Sequence, residues 1–313
     1  QLRDAGFEPL IVDNMSAGHA RRLDGFDNII GSIGSASTLE QLRMVAKPPF
    51  VIVHCAASIV VPESVSRPLG YMRNKVAETL QFLDGLSEGG PVHVILSSTG
   101  SMYENRPDVF SMDEEARVDP VNPYSLSKYI TEQLLAEAAR LEKINFLSLR
   151  YFNPIGCDRG FRSGAMDPNP THILGSMLHA FSEERPFVVA GTDWDTRDGT
   201  TLRDYIDVAD LAEAHIFAIK YLLENPAVQT IANREGIPVV NLGTGFGTTV
   251  REFLSAFQSA LNQTVLSEDG PRRPGDSRGT FCNADKAKSV LGWQARTEIG
   301  ESIKNSLKWM QKL

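Results

Sequence analysis

Cysteine is scarce in this chain: Cys55, Cys157 and Cys282 are the only three in 313 residues. An odd, widely spaced set argues against a disulfide framework and points to reduced thiols in a cytoplasmic protein. Histidine is nearly as sparse, with six residues and no metal-ligand spacing, so no metal site is expected. No apolar run approaches the length that crosses a bilayer, and the N-terminus lacks signal-peptide character, so no membrane partner is expected. Positive charge is also short, with 31 Lys and Arg against 39 Asp and Glu and a net charge of -8. That balance disfavours nucleic acid and anionic surfaces. Any anionic ligand must therefore be held by local arginines.

What is present is an ordinary globular composition, 42% hydrophobic and 22% charged, enough for one large core or two smaller ones. Strand and helix signals alternate through the first half. Residues 1–13 read as a helix tail, a stop at Gly6 and a strand ending in Asp13. Ile29-Ile30 is a short strand remnant, and Ser37 with Glu40 forms a capping-box pattern ahead of a helix. Phe50 to His54 is the next strand, Pro68 opens a helix reaching about Leu86, and Val92 to Leu96 is a buried strand. A helix from 123 to about 141 and a strand from Asn145 to Arg150 follow. This alternation predicts an α/β fold, a doubly wound parallel sheet of Rossmann-like type with a smaller C-terminal α/β substrate-binding lobe.

After Arg150 the rhythm changes. Residues 154–170 are rich in Gly, Pro, Asp and Asn and read as a long functional loop. Asp207 to Leu223 is helical, Val239 to Leu242 is a strand, and Thr249 with Glu252 forms another capping box. Val250, Phe253, Leu254, Phe257 and Leu261 make a core-facing helical stripe. Ile303, Leu307 and Met310 do the same on the terminal helix.

The chemistry concentrates in Asn122-Pro123-Tyr124-Ser125-Leu126-Ser127-Lys128. Asn122 and Pro123 are an N-cap and first-turn pair, so Tyr124 and Lys128 lie one turn apart on one helix face. A neighbouring ammonium is expected to pull the phenol pKa below about 10 and make Tyr124 an acid/base. Upstream, the 92–96 strand runs into Ser97-Ser98-Thr99, small hydroxyl residues where open α/β sheets bind ligands. A strand-end Ser or Thr followed by Tyr-x-x-x-Lys resembles the catalytic set of the short-chain dehydrogenase/reductase superfamily.

Longer ordered segments narrow this. Asp13-Asn14-Met15-Ser16, His54 to Ser58, Pro62-Glu63-Ser64-Val65, Leu149 to Pro154, Arg203 to Asp207, Asn241 to Gly245 and Arg272-Arg273-Pro274-Gly275-Asp276 together resemble the UDP-glucose 4-epimerase family. The resemblance implies NAD as cofactor, with Asp13 accepting from the adenosine ribose hydroxyls and disfavouring a 2′-phosphate. Asn14 lies along the same ribose. Ser32 and Ile33 fall where the family usually has an Asp beside the adenine. Cys55, Ala56, Ala57 and Ser58 form a small-residue loop under the dinucleotide, with Ile59 where a Lys is common. Asn74 and Lys75 stand where many members have two Asn residues and are implied to be cofactor-binding, Lys75 in place of the second Asn. Phe152 lies near the nicotinamide.

The same resemblance makes Thr99, Tyr124 and Lys128 the catalytic set. Tyr151, Asn153, His172, Ile173, Val188, Ala190, Arg203, Arg273, Asp276 and Thr280 become substrate-binding residues, the two arginines taking the diphosphate. It implies oxidation of the hexose at C4, rotation of the ketone and return of hydride to the other face. UDP-glucose and UDP-galactose are the expected substrates. Thr280 stands where a Tyr crowds the 2-acetamido group in some members, so N-acetylated UDP-hexoses are expected to fit too. The implied division is 1–153 plus about 199–245 for NAD, and about 154–198 plus 246–313 for the nucleotide sugar. A homodimer is implied as well.

Rivals within the fold are uronate epimerases, 4,6-dehydratases and decarboxylases. The last two need carboxylates just after the strand-end hydroxyl, where Gly100 and Ser101 stand. A non-catalytic dinucleotide-binding relic is the other alternative. A dinucleotide-binding unit is also expected to begin one strand and one glycine-rich turn earlier, about 20 residues at ordinary element lengths. We therefore expect weak NAD retention and poor solubility from the chain as written.

Overall fold

The computed structural model describes residues 1–47, 49–87, 92–142, 144–167, 170–225, 228–273 and 276–312. The chain divides into two compact units. One comprises Gln1–Glu104, Glu114–Arg150 and His215–Val240; the other comprises Asn105–Asp113, Tyr151–Ala214 and Asn241–Leu313. Of the five divisions, three fall inside a strand (Ile144–Tyr151), a helix (Val208–Glu224) and another strand (Val239–Leu242).

In the first unit, strands Leu10–Asp13 and Asp27–Ile30 pair in parallel, Asp13 opposite Ile30. A separate four-stranded sheet runs, in spatial order, Val239–Leu242, Ile144–Tyr151, Val92–Thr99 and Val51–His54. Val51–His54 and Val92–Thr99 are parallel, His54 opposite Leu96. Near-continuous apolar runs in these strands are what burial on both faces requires. Val94, Ile95, Phe146, Leu147 and Leu149 are fully buried. Ile29, Leu39, Phe82, Leu96 and Leu135 join one cluster, against which Leu10 and Val12 pack. The fold is α/β with parallel sheets, as its alternation predicts.

Several elements differ in detail from expectation. Residues 2–6 form turns rather than a helix end. The helix Ala36–Val45 is capped by Ser35, whose side chain accepts from Thr38 N, so Ser37 and Glu40 are not its capping pair. The helix expected from Pro68 is built in pieces, Pro68–Met72, a wide π turn at Arg73–Ala77 and Glu78–Ser87, and a short helix not expected, Val61–Ser66, precedes it. The helix Pro123–Arg140 opens as expected, Asn122 accepting from Ser125 N.

In the second unit, Asn153–Ile155 pairs in parallel with Tyr205–Asp207, so the expected long loop begins with a short strand. Its residues 168 and 169 lie outside the described residues. Phe187–Ala190 pairs with Ser267–Gly270, and Phe281–Cys282 with Ser111–Met112. Helix Val250–Leu261 carries the predicted capping box between Thr249 and Glu252. Its Phe253, Leu254 and Phe257 enter a core with Leu174, Met177, Val189 and Ile303. On helix Ile299–Met310, Trp309 is buried and Met310 is 42% exposed, because Trp309 turns inward to donate to Ala165 O at 2.8 Å.

Candidate active site

In the first unit the Val92–Thr99 strand delivers Thr99 to the helix that carries Tyr124. Thr99 is buried, donates to Ser101 Oγ at 2.9 Å and accepts from Ser101 N at 3.1 Å. The Tyr124 side chain hydrogen-bonds Thr99. Lys128, one turn on, is also buried, and its ammonium donates to Ser97 O at 2.6 Å. Strand-end hydroxyl, phenol and ammonium therefore meet at one sheet edge.

The electrostatics correct the sequence reading. Burial raises the Tyr124 phenol above its ordinary value, and the Thr99 hydrogen bond only offsets this in part. Lys128 directs its charge at the Ser97 carbonyl instead, which the i, i+4 spacing could not reveal. Burial also pulls Lys128 down to about 8, with Cys55 and Glu132 holding it up. In this site the amine is thus close to losing its proton at mildly alkaline pH.

The small-residue loop after Val51–His54 is held from the helix side, Ser58 N donating to Asn74 Oδ1 at 2.9 Å. That assigns Asn74 a loop-holding contact. Cys55 and Ala56 are exposed, Ala57 and Ser58 half-buried, so the loop backbone is open to a ligand. Below the loop, His54 is buried, shares a 2.8 Å hydrogen bond with Thr79 and is pulled down to about 3 by burial and Lys128. Asp13 accepts from Met15 N at 2.7 Å and Asn14 from Ser16 N at 3.0 Å, which folds the turn after the first strand. Ser32 donates to Glu78 Oε2 at 2.5 Å, while Ile33 is buried in the hydrophobic cluster. The side chain of Ile33 is therefore committed to packing. Lys75 is 2% exposed, its amine unpaired, 3.6 Å above the Tyr124 ring.

In the second unit, Arg203 extends from strand Leu202–Arg203 and donates to Leu202 O at 2.7 Å and Ser277 O at 3.2 Å. Burial lowers its basicity; Tyr205 and Asp276 act against that, and Arg273 acts with it. Arg273 is exposed and ion-paired to Asp276 at 2.9 Å. Arg203, Tyr205, Arg273 and Asp276 therefore share one electrostatic neighbourhood. Pro274 and Gly275 of the expected motif lie outside the described residues. Gly279, at φ +109°, passes so close that a Cβ would sit 1.7 Å from Leu202 O and 2.1 Å from the Arg203 guanidinium. Only glycine allows that approach. It leads into half-buried Thr280 and the Phe281–Cys282 strand.

Asp204 anchors the same region, accepting from Thr244 N and Oγ1, Gly245 N and Cys282 N. Half-buried Tyr151, Phe152 and Asn153 follow the strand end, Asn153 N donating to Asp204 O at 2.9 Å. His172 caps helix Ile173–Ser182 by accepting from Gly175 N at 3.2 Å, and burial lowers its pKa. Ile173 packs against the core; Val188 is 44% exposed and Ala190 half-buried.

Sequence reasoning named Ser97, Asp204 and Tyr205 only within longer segments and gave none of them a role of its own, nor one to Tyr71, whose ring centroid is 5.0 Å from the Lys75 amine. Ser97 and Asp204 act through a carbonyl and a structural carboxylate, which no side-chain motif signals. Among the described residues no group of His, Cys, Asp and Glu could hold a metal ion.

The signature of the NAD dependent epimerase/dehydratase family matches residues 1–232. A UDP-glucose 4-epimerase of Rhizobium leguminosarum bv. trifolii is 37% identical over 99% of this chain and 92% of its own length. The crystal structure of a UDP-glucose-4-epimerase from Stenotrophomonas maltophila, with bound NAD and formylated UDP-arabinopyranose, superposes with a TM-score of 0.89. It is 28% identical and the match covers 99% of this chain and 93% of that one. The UDP-Glc/GlcNAc 4-epimerase of Campylobacter jejuni superposes at 0.77 with 28% identity, over 98% of this chain and 92% of that one. By signature, sequence and fold together, this chain belongs to the NAD dependent epimerase/dehydratase family.

Proposed function

We propose that this protein is an NAD-dependent isomerase that interconverts UDP-glucose and UDP-galactose, a step of galactose metabolism. The observation that carries the reading is the contact of Tyr124 with Thr99, with Lys128 a turn away on the same helix. The residues present suit the cofactor. The Asp13 carboxylate ends a strand where ribose hydroxyls need an acceptor, and an open loop of Cys55, Ala56, Ala57 and Ser58 lets a backbone approach a flat ligand. Asp13, Asn14, Ser32, the 55–58 loop, Asn74, Lys128 and Phe152 would hold NAD. When bound, NAD supplies a reversible hydride acceptor at the sugar C4.

Tyr124 Oη takes the proton of the sugar 4-hydroxyl and returns it after the ketone has turned. Thr99 Oγ1 orients the reacting oxygen. Lys128, whose amine is held on Ser97 O, would contact the nicotinamide ribose. Arg203, Arg273 and Asn153 hold the diphosphate, and Asp276, His172, Ile173, Val188 and Ala190 border the nucleotide, so the hexose alone is free to rotate. Tyr151 and Thr280 flank the hexose. Gly100 and Ser101 offer no carboxylate for elimination, which supports epimerisation over dehydration or decarboxylation. On this reading the first unit carries NAD and the second the nucleotide sugar.

We further propose a homodimer, supported by exposed Val65, Leu69 and Leu126 on helices of the first unit, and a cytoplasmic setting, supported by three free cysteines. No helix among the described residues is long and apolar enough to cross a membrane. The test is conversion of UDP-glucose to UDP-galactose without added reductant. Tyr124→Phe is expected to lower turnover by about 10²–10⁴-fold. Undiminished turnover in that variant removes Tyr124 from the chemistry.

A further inference from the structure

Lys75 has no part in the mechanism above, yet its surroundings are unusual. It lies in the π turn Arg73–Ala77, where the helical register slips, and such turns gather at functional sites. The slip directs the side chain inward: the residue is 2% exposed and its amine has no hydrogen-bond partner. A buried lysine amine left in that state is costly unless the site uses it. Its nitrogen lies 3.6 Å from the Tyr124 ring centroid and 5.0 Å from that of Tyr71. Tyr71 is fixed in turn, donating to Val60 O at 2.7 Å and to Glu63 at 3.1 Å. Two aromatic faces thus hold one amine.

We propose that Lys75 is a positioning residue for Tyr124, keeping a protonatable amine against the phenol ring so that the ring is held and its ionisation is eased. This rests on the reading of Tyr124 as the acid/base. The groups facing the amine are Tyr71 from helix Pro68–Met72, and Tyr124 and Lys128 from helix Pro123–Arg140, with Glu63 of helix Val61–Ser66 behind Tyr71. Burial and then the Lys128 charge bring Lys75 down to about 6. Because Lys75 gives up its proton first, Lys128 stays the charged member of the pair near neutral pH. A negative charge appearing on Tyr124, whose ring centroid is 3.6 Å from the Lys75 nitrogen, raises the proton affinity of that amine in turn, so the proton released as the Tyr124 O–H bond breaks can end on it as an N–H bond, through solvent and with no change of oxidation state. The phenolate then has a cation on its ring face. An Asn at this position would keep a polar head but could hold no proton.

The test is NMR titration of protein labelled at tyrosine Cζ and lysine Cε, with the Tyr124 signal assigned by its loss in Tyr124→Phe. Lys75→Met and Lys75→Gln should each raise the Tyr124 midpoint by about a pH unit or more, and Lys75→Arg should lower it. In the unsubstituted protein one lysine should titrate near pH 6 and vanish from Lys75→Gln. A Tyr124 midpoint that is unmoved in both neutral variants overturns the proposal, and so does the absence of any lysine titrating below pH 8. The unsubstituted titration covers the case in which a variant does not fold. Because no turnover is measured, failure here is distinct from failure of the epimerase reading.

Discussion

At the scale of single residues, the i, i+4 spacing of Tyr124 and Lys128 was readable because a helix repeats every 3.6 residues. Their ionisation was not, because burial and the carbonyl of Ser97 come from a strand some 30 positions away. The same limit hid Lys75, whose inward direction depends on a π turn that no local pattern signals. Thr280 was placed by motif counting alone; it is half-buried and follows Gly279, whose close approach to Leu202 O only glycine allows. Thr280→Tyr is expected to abolish epimerisation of UDP-N-acetylglucosamine while sparing UDP-glucose, read by parallel assays of the two substrates. Equal activity on both before and after the change would refute that role. Arg150 and Glu132 present a different residue-scale case. Both side chains are fully buried, paired at 2.6 Å, with Ser148 donating to Glu132 and Arg150 lying 4.9 Å over the Tyr103 ring. Burial weakens Arg150 as a base, and Glu132 with Tyr103 more than restores it. Glu132→Gln should cost about 3–5 kcal/mol by leaving that charge uncompensated. Urea unfolding would show it as a lowered midpoint.

At the scale of elements, legibility followed the strength of the local rule. Thr249 and Glu252 form the expected capping box because both partners lie within one turn of the chain. Ser37 and Glu40 match the same pattern, but Ser35 has the extended backbone a cap requires and takes the role. Thr249→Ala should destabilise the protein by about 1–2 kcal/mol, since it removes the cap and the hydroxyl that donates to Asp198. A parallel Ser37→Ala substitution should change the unfolding midpoint little. If Ser37 proved the costlier of the two, the cap assignment of helix Ala36–Val45 would be wrong. The four-piece build of residues 61–87 was the least legible segment, because turns of slightly different pitch share one hydrophobic periodicity.

For the whole molecule, buried titrating groups set how stability varies with pH. His54 titrates near 3 in the folded protein and near 6.5 when unfolded, Lys75 near 6 against 10.5, and Lys128 near 8 against 10.5. In each window the unfolded chain binds the extra proton, so stability rises with pH across it. Asp158, held near 2 by Arg162, adds stability that disappears below its unfolded value of 3.8. Asp204 and Asp207, raised by burial, temper the acid side. Tyr71 near 12 and Cys157 near 11 reverse the slope at alkaline pH, because the unfolded phenol and thiol ionise first. Thermal midpoints measured from pH 4 to 11 should therefore peak on the mildly alkaline side of neutrality, and a peak below pH 6 would contradict these assignments. The interleaving of the two units bears on recombination between related genes. Residues Asn105–Asp113 belong to the second unit although the first unit resumes at Glu114, and they supply the Ser111–Met112 strand that pairs with Phe281–Cys282. A chimera with one crossover near codon 150 would thus graft a stranger's nine-residue insert against a resident strand. Exchanges that carry 105–113 along with the C-terminal half keep that ladder intact, so family members should shuffle productively by paired crossovers more readily than by single ones.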